Sequence, residues 1–393
     1  MDAVRYLDYA ATTPLLEEVL EVMLPYQRGL FGNPSSVYRL GRESKKGMEE
    51  SREQVAAAIG AQPSEIVFTG GGTEADNMAL KGVAMKARSR GTHVITTAVE
   101  HHAVLHSAEW LERQGFRVTF LPVDAEGVVD LEALESALSP ETVLVSIMLA
   151  NNEVGTIQPV AEAARLVHER SRALVHTDAV QGLGKIPLDV GALGVDLASF
   201  AAHKIGGPKG VGALFVRRRT PIEAILHGGG QERDLRSGTP NVAGIAGLGA
   251  AAAIAAAEVA DEGTRLGALR ERQESGILTA VNGVRVNGAG APRVPGTLSV
   301  CIEGVEGESM LLMFDAREIA ASSGSACTSG SLDPSHVLLA MGIPPQLAHG
   351  SLRLSLGRGT VPGDVDAVLE VLPEIVTRLR AIAPRPAGRS SRS

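Results

Sequence analysis

The sequence predicts an α/β protein, with a mostly parallel seven-stranded sheet in a large domain and a smaller α+β domain beside it. Three observations predict it. Between about residues 50 and 220, helical stretches alternate with short apolar, β-branched runs bounded by Gly, Pro or Asp. After Leu174 the runs follow one another without room for a full helix, so some late pairings are expected to be antiparallel. Past an Ala-rich helical stretch, a second region brings strands of its own.

Taken in order, the expected strands of the large sheet are Ile66–Thr69, Val94–Val99, Val118–Val123, Val143–Leu149, Leu174–Thr177, Leu197–Phe200 and Ala213–Val216. Helical periodicity fills the earlier gaps, over Thr73–Arg88, Ala103–Gln114 and Val160–Arg170. The uncharged run Val242–Ala257 invites a membrane reading. Its Ala and Gly gain little from lipid and Glu258 follows at once, so a closely packed interior helix is expected instead. The second region offers strands at Thr297–Ile302 and Leu352–Ser355 and a helix near Pro362–Arg380. Residues 13–255 are assigned to the large domain, and residues 1–12 and 256–383 to the small one. The Pro-, Gly-, Arg- and Ser-rich tail 384–393 has nothing to bury and is expected to be disordered.

With 393 residues, 44% hydrophobic and 21% charged, the composition fits a soluble globular protein large enough for two domains. A formal net charge of -8 argues against nucleic acid or an anionic membrane as partner, because both demand clustered positive charge. Small molecules and proteins remain. The stretch Met1–Tyr6 lacks the basic and apolar blocks of a secretory signal, so a cytoplasmic location is expected, with Cys301 and Cys327 unpaired.

In open α/β sheets the ligand lies beyond the carboxyl ends of the strands, and most chemically suggestive segments fall there. Thr69-Gly70-Gly71-Gly72-Thr73-Glu74 ends a strand and opens a helix. Its glycines admit an anion to free amides, with the Thr73 hydroxyl as an extra donor; a plain strand-to-helix turn would read the same way. Asp178, in His176-Thr177-Asp178, closes an apolar strand, where it would serve either as a turn residue or as partner to a pyridinium nitrogen. Lys204 follows an apolar strand and precedes Gly206-Gly207-Pro208, a tight, partly desolvated place that lowers an amine's pKa and permits a Schiff base. Of the other lysines, Lys45, Lys46, Lys81 and Lys86 read as solvated helix residues and Lys185 as part of a polar turn, which leaves Lys209 as the rival.

His101, in Glu100-His101-His102, ends another strand, where an imidazole would stack on a planar cofactor and exchange protons near neutral pH. No metal is expected, because neighbouring side chains point apart and no Cys or Asp stands at ligand spacing. Cys327 lies in Ser322-Ser323-Gly324-Ser325-Ala326-Cys327-Thr328-Ser329-Gly330-Ser331, a small polar run expected to form a mobile loop with a reachable thiol. Cys301 alternates within Leu298–Ile302 and reads as structural. Arg353, on the short strand Ser351–Ser355, offers a two-point fork for a carboxylate, or alternatively a salt bridge.

Together these segments closely resemble the cysteine desulfurases that supply sulfur for iron–sulfur cluster assembly, within the pyridoxal-phosphate (PLP) transferases of fold type I. The match runs from Tyr6-Leu7-Asp8-Tyr9-Ala10-Ala11-Thr12-Thr13-Pro14 to Arg353-Leu354-Ser355-Leu356-Gly357. The resemblance implies that Lys204 holds PLP as a Schiff base, that Asp178 partners the pyridine nitrogen and Gln181 the ring hydroxyl oxygen, and that His101 stacks on the ring. Thr73 and His203, beside Gly72, resemble phosphate ligands. Arg236-Ser237-Gly238-Thr239 resembles a segment that reaches the phosphate of the other subunit, which implies a homodimer. Asn151 and Asn33 resemble residues near the cofactor and the substrate carboxylate, with Arg353 as its main clamp.

The run around Cys327 is similar to the longer catalytic loop of one branch of that family. The implied reaction converts L-cysteine to L-alanine, leaves a persulfide on Cys327, and passes the sulfur to an iron–sulfur scaffold or other acceptor protein. A class V aminotransferase or a selenocysteine lyase is the nearest alternative. One position departs from the pattern: the family commonly has a phosphate-binding serine where Ala201 stands, and Ser199 is no simple replacement, so weaker cofactor retention is expected.

Overall fold

A computed structural model gives the fold and describes residues 4–324 and 333–382, so Cys327 and the tail 384–393 lie outside the described residues. The chain opens with a short strand, β1 (Arg5–Tyr6), and two helices, α1 (Glu17–Arg28) and α2 (Arg39–Ala58). Strands and helices then alternate as β2 (Ile66–Thr69), α3 (Gly72–Ala87), β3 (His93–Thr97), α4 (His102–Arg113), β4 (Arg117–Leu121), α5 (Leu131–Ala137), β5 (Thr142–Ser146), α6 (Val160–Arg170) and β6 (Leu174–Asp178). The single turn α7 (Val190–Leu193), β7 (Leu197–Ala201) and β8 (Gly212–Val216) complete this part.

The large sheet has the order β2-β8-β7-β6-β5-β3-β4. Strands β3 to β7 pair in parallel, whereas β8 is antiparallel to both neighbours. The link Ala202–Val211 is the cause, since it holds one turn and no crossover helix. Because β2 and β7 both oppose β8, β2 runs with the parallel set and its carboxyl end joins theirs at one edge.

Alternation along the strands covers both faces. Ile66, Phe68, Ala198 and Phe200 meet α2, α6 and the first part of α8 (Val242–Ala280), while Val67, Leu197, Leu214 and Val216 meet α3 and α4. Helix α8 runs for 39 residues, well past the interior stretch expected at Val242–Ala257. Its Ala243–Gly249 segment is buried in the large core, and Leu269 and Ile277 enter a second core. It is the one described helix long and apolar enough to cross a membrane, and half of its most apolar window is buried inside the protein.

After α8 come β9 (Val284–Val286), β10 (Thr297–Ile302), α9 (Gly307–Asp315), β11 (Ile319–Ala320), α10 (His336–Ala340), α11 (Pro345–Ala348), β12 (Ser351–Ser355) and α12 (Pro362–Ile382). An antiparallel sheet of order β12-β10-β9 packs on α9, α12 and the end of α8. Cys301 sits fully buried within β10. Strand β1 pairs in parallel with β11, so the start of the chain is stitched into this second region before it returns to the large sheet.

Candidate active site

The carboxyl ends of β2, β3, β5, β6 and β7 converge, and the segment Asp8–Thr13 binds to several of the side chains found there. Lys204 closes a tight turn after β7. Two residues on, Gly206 has a φ of 81°, and a Cβ there would strike Leu16 at 2.5 Å, so only glycine lets the chain turn away so sharply behind the lysine. The Lys204 Nζ donates to the carbonyls of Ala10 (2.6 Å) and Ala11 (2.7 Å). Gln181 Nε2 also donates to Ala10, at 2.9 Å. His203 is held by the same segment: its carbonyl accepts from Thr13 Oγ1 and its Nδ1 is hydrogen-bonded to Thr12 Oγ1 at 3.1 Å.

Asp178 ends β6 with Oδ1 accepting from the Val180 amide at 2.9 Å. Asp76 of α3, Asp178 and His101 each bring a ligand-capable atom within 4.8 Å of the others. The sequence spacing around His101 offered no Cys or Asp as a ligand; α3 and β6 supply two aspartates. Burial pushes Asp178 up to about 6, while the Val180 amide and the Lys204 charge favour its ionised form. Asp76 is raised well above the usual carboxylate range, by burial first and then by Asp178. Glu100 accepts from Thr97 Oγ1 (2.9 Å) and the Met148 amide (2.8 Å), yet burial pushes it up to about 8. Burial thus keeps Glu100 protonated near neutral pH and favours the protonated form of Asp76, while the Val180 amide and Lys204 favour the charge on Asp178. Beside them His176 bonds Ser146 (2.8 Å) and Ser199 (3.0 Å), so the Ser199 hydroxyl is already engaged.

His101 caps α4, its Nδ1 accepting from the Ala103 amide at 3.1 Å, which leaves the ring proton on Nε2. Burial first, then the Lys204 charge, push the imidazole down to about 4. With Lys204 charged beside it, His101 is a neutral ring at physiological pH that presents an N–H.

At the start of α3, a Cβ on Gly72 would come 2.8 Å from Val180 Cγ2 and 3.5 Å from the Ala201 Cβ, so the glycine opens a cradle between them. Thr73 is exposed on the first turn. Arg236 pairs with Glu74 at 2.7 Å, and Glu74 accepts from the Gly70 amide at 2.8 Å. The 236–239 segment thus borders the cradle of its own chain, with Thr239 exposed.

Arg353 is buried; its Nη2 donates to Asp8 (2.6 Å) and its Nη1 to the Asn152 carbonyl (2.8 Å), while Nε is buried without a partner among the described residues. The salt bridge and a spare donor coexist. Asn151 spends Oδ1 on the amides of Glu153 and Val154 and one Nδ2 hydrogen on Val99, which holds the turn after β5. Asn33 is exposed and its Oδ1 accepts locally from the Ser35 amide, so it is not brought to the cluster.

Lys185 also departs from the sequence reading. It lies in a turn, yet it donates to Gln181 Oε1 and, with Lys204, lines a cavity of about 390 Å³; burial pushes its amine down to about 7. Lys209, the rival in the sequence, is exposed. Asp76 was missed as well. An acid beside Ala75, Met78 and Ala79 on the buried stripe of a helix is the signal that would have found it.

The donor set fits PLP: an amine, one ionised carboxylate for a ring nitrogen, a neutral imidazole, and a glycine cradle at a helix N-terminus for a phosphate. Comparison with known proteins agrees. The aminotransferase class-V family matches residues 5–368. The cysteine desulfurase IscS of Methanosarcina thermophila is 50% identical over 379 residues, covering 96% of this chain and 93% of that protein. The IscS-like cysteine desulfurase of Mycobacterium tuberculosis is 48% identical over 392 residues, covering 98% of this chain and 99% of its own. Among solved structures, a NifS-like protein superposes with a TM-score of 0.89 at 42% identity, covering 95% of this chain and 99% of that one. SspA in complex with cysteine gives 0.80 at 36% identity, covering 91% and 99%. The chain belongs to the class-V aminotransferase family and, within it, to the cysteine desulfurases.

Proposed function

We propose that this chain converts L-cysteine to L-alanine with PLP carried on Lys204 and the sulfur received by Cys327. The observation that carries the reading is the convergence of Lys204, ionised Asp178 and neutral His101 at one edge of the sheet. When bound, the cofactor supplies an electron-poor ring that takes up the charge released at the substrate Cα.

The chain's own residues do the rest. Asp178 holds a proton on the ring nitrogen, and burial disfavours the charged forms of Asp76 and Glu100 beside it. Lys204, once released from the cofactor, moves the Cα proton. His101 offers the Nε2 proton as a donor. The spare Nε of Arg353 is a ligand for the substrate carboxylate. The Cys327 thiolate attacks the substrate sulfur: an S–S bond forms, the C–S bond breaks with its electron pair left on carbon, and protonation there gives alanine.

A homodimer is part of this reading. Phe31, Val37 and Tyr38 stand 71%, 87% and 55% exposed around the turn that carries Asn33, and a second copy covering them would give Asn33 and Thr239 a site to reach. The resemblance supports an iron–sulfur scaffold or another acceptor protein as the destination of the sulfur.

An absorption spectrum before and after L-cysteine, with alanine and sulfide measured, tests the reading. Cys327→Ser should keep the yellow colour and form no persulfide. Alanine formation at full rate in that variant would remove Cys327 from its role, and transfer of the amino group to a keto acid in place of sulfide release would favour an aminotransferase.

A further inference from the structure

Lys185 is a second amine beside Lys204, and the reaction described above gives it no part. Its Nζ donates to Gln181 Oε1, and the two lysines line one cavity. An amide's two ends differ in chemistry but hardly in shape, so its orientation is set by what each end meets. Both ends of Gln181 are met. An ammonium has three donors and no acceptor, so it binds only the oxygen end. At the other end, Nε2 donates to the Ala10 carbonyl, which also receives Lys204. Gln181 is 5% exposed and Ala10 3%, so bulk water does not compete for either end.

We propose that Lys185 is a positioning residue that fixes the Gln181 amide with its oxygen away from Lys204 and its NH2 towards it. The site then offers a hydrogen-bond donor, and no lone pair, to an acidic oxygen next to the imine formed at Lys204. This rests on the PLP reading, in which the ring hydroxyl is that oxygen. Without Lys185 the Ala10 carbonyl alone selects the orientation, so the reversed amide costs one opposed pair of lone pairs in place of two mismatched ends.

The charges around Lys185 define the conditions for a test. Lys204 and Arg353 both oppose its protonation, Asp8 pairs with Arg353, and Glu262 lines the same cavity. Measurements at mildly acidic pH keep the ammonium form.

The test is a double-mutant cycle on the holoenzyme, from wild type through Lys185→Met and Gln181→Ala to the double variant. PLP affinity and the wavelength of the visible band are the readouts. Lys185→Met in the wild-type background should weaken PLP binding about 5- to 10-fold, the range of one buried hydrogen bond, and shift the band. The same change in the Gln181→Ala background should do neither. Lys185→Arg, which keeps donors at that place, should stay within about 2-fold of wild type.

An equal effect in both backgrounds would mean that Lys185 acts by its charge alone and would overturn the proposal, as would no effect in either. A wild-type protein that takes up PLP without a link to Lys204 that borohydride reduces to a stable secondary amine, or takes up none, would overturn the functional reading itself, an outcome visible before any variant is made.

Discussion

Lys204 and Gln181 donate to one and the same carbonyl oxygen, that of Ala10, at 2.6 and 2.9 Å. The amine that would carry the cofactor is thus placed by the first residues of the chain as well as by its own strand. The same segment fixes the neighbours: Asp8 takes Arg353, and Thr12 and Thr13 take His203. Strand β1, paired with β11 in the second region, is what anchors it. A short N-terminal segment therefore sets the spacing between the substrate end and the cofactor end of one site.

Arg353 makes the substrate end testable. Two of its nitrogens are committed to Asp8 and Asn152, and Nε remains. A lysine has a point charge where the guanidinium has a planar fork, so it cannot serve all three directions. Arg353→Lys should raise KM for L-cysteine about 10- to 100-fold, the range of a charged hydrogen bond, with a smaller change in kcat. Steady-state kinetics decide it, and an unchanged KM would remove Arg353 from the binding of the carboxylate.

Asp178 makes the cofactor end testable. Burial favours the protonated forms of Asp76 and Glu100, the other two buried acids described beside it, so neither is a ready replacement. Asp178→Asn should lower kcat by about 10²-fold or more while PLP still links to Lys204, since the amide cannot hold a proton on the ring nitrogen. The check is alanine formation beside the visible spectrum. Near-normal turnover would mean that Asp76 is the ionised partner.

How much of this was legible in sequence depends on how local each signal is. The strands of the large sheet and Lys204 announce themselves through neighbours: apolar alternation, then Gly206-Gly207-Pro208. Strands β1, β9 and β11 are two or three residues long, too short for alternation to register. The full length of α8 was hidden because its polar second half bears no likeness to its Ala-rich first. The partnership of Asp8 with Arg353 joins opposite ends of the chain, and nothing in either segment names the other. Residue types showed a histidine and several acids, but burial sets their charges, and burial belongs to the fold: hence His101 is neutral, and Lys185, read as part of a polar turn, has its amine desolvated against Gln181.

The buried acids predict a pH dependence of stability. Glu100 titrates near 4.5 when exposed and about 8 in the fold. Between those values the unfolded chain has released a proton that the folded chain retains, so stability falls as pH rises, by about 1.4 kcal/mol per pH unit for one such group. His176 and His93, ordinarily near 6.5, are pushed by burial to about 3 and about 4; they are neutral in the fold, so their share of stability is complete above 6.5 and is lost as pH falls through that window. Glu100→Gln removes the acid term alone. Urea unfolding at about pH 6 and about pH 8 should show a shallower decline for the variant than for wild type. Equal declines would show that Glu100 is ionised in the native state.

Ala201 offers a gain-of-function test of the phosphate end. Its Cβ borders the space above Gly72 at the N-terminus of α3, and the residue is only 4% exposed. The nearby Ser199 faces the same side of β7, but its hydroxyl is already engaged by His176 and by the Asp76 carboxyl, so it is not turned towards a phosphate. Ala201→Ser would place a new hydroxyl beside the cradle at little cost in volume. One neutral hydrogen bond is worth about 1 kcal/mol, which is about a 5-fold tighter Kd for PLP. Because a phosphate would be shared by cofactor and inorganic anion, phosphate should also compete more strongly with PLP in the variant. Unchanged values for both would place the phosphate away from Gly72, whereas tighter PLP with unchanged phosphate competition would mean that the hydroxyl touches another part of the cofactor.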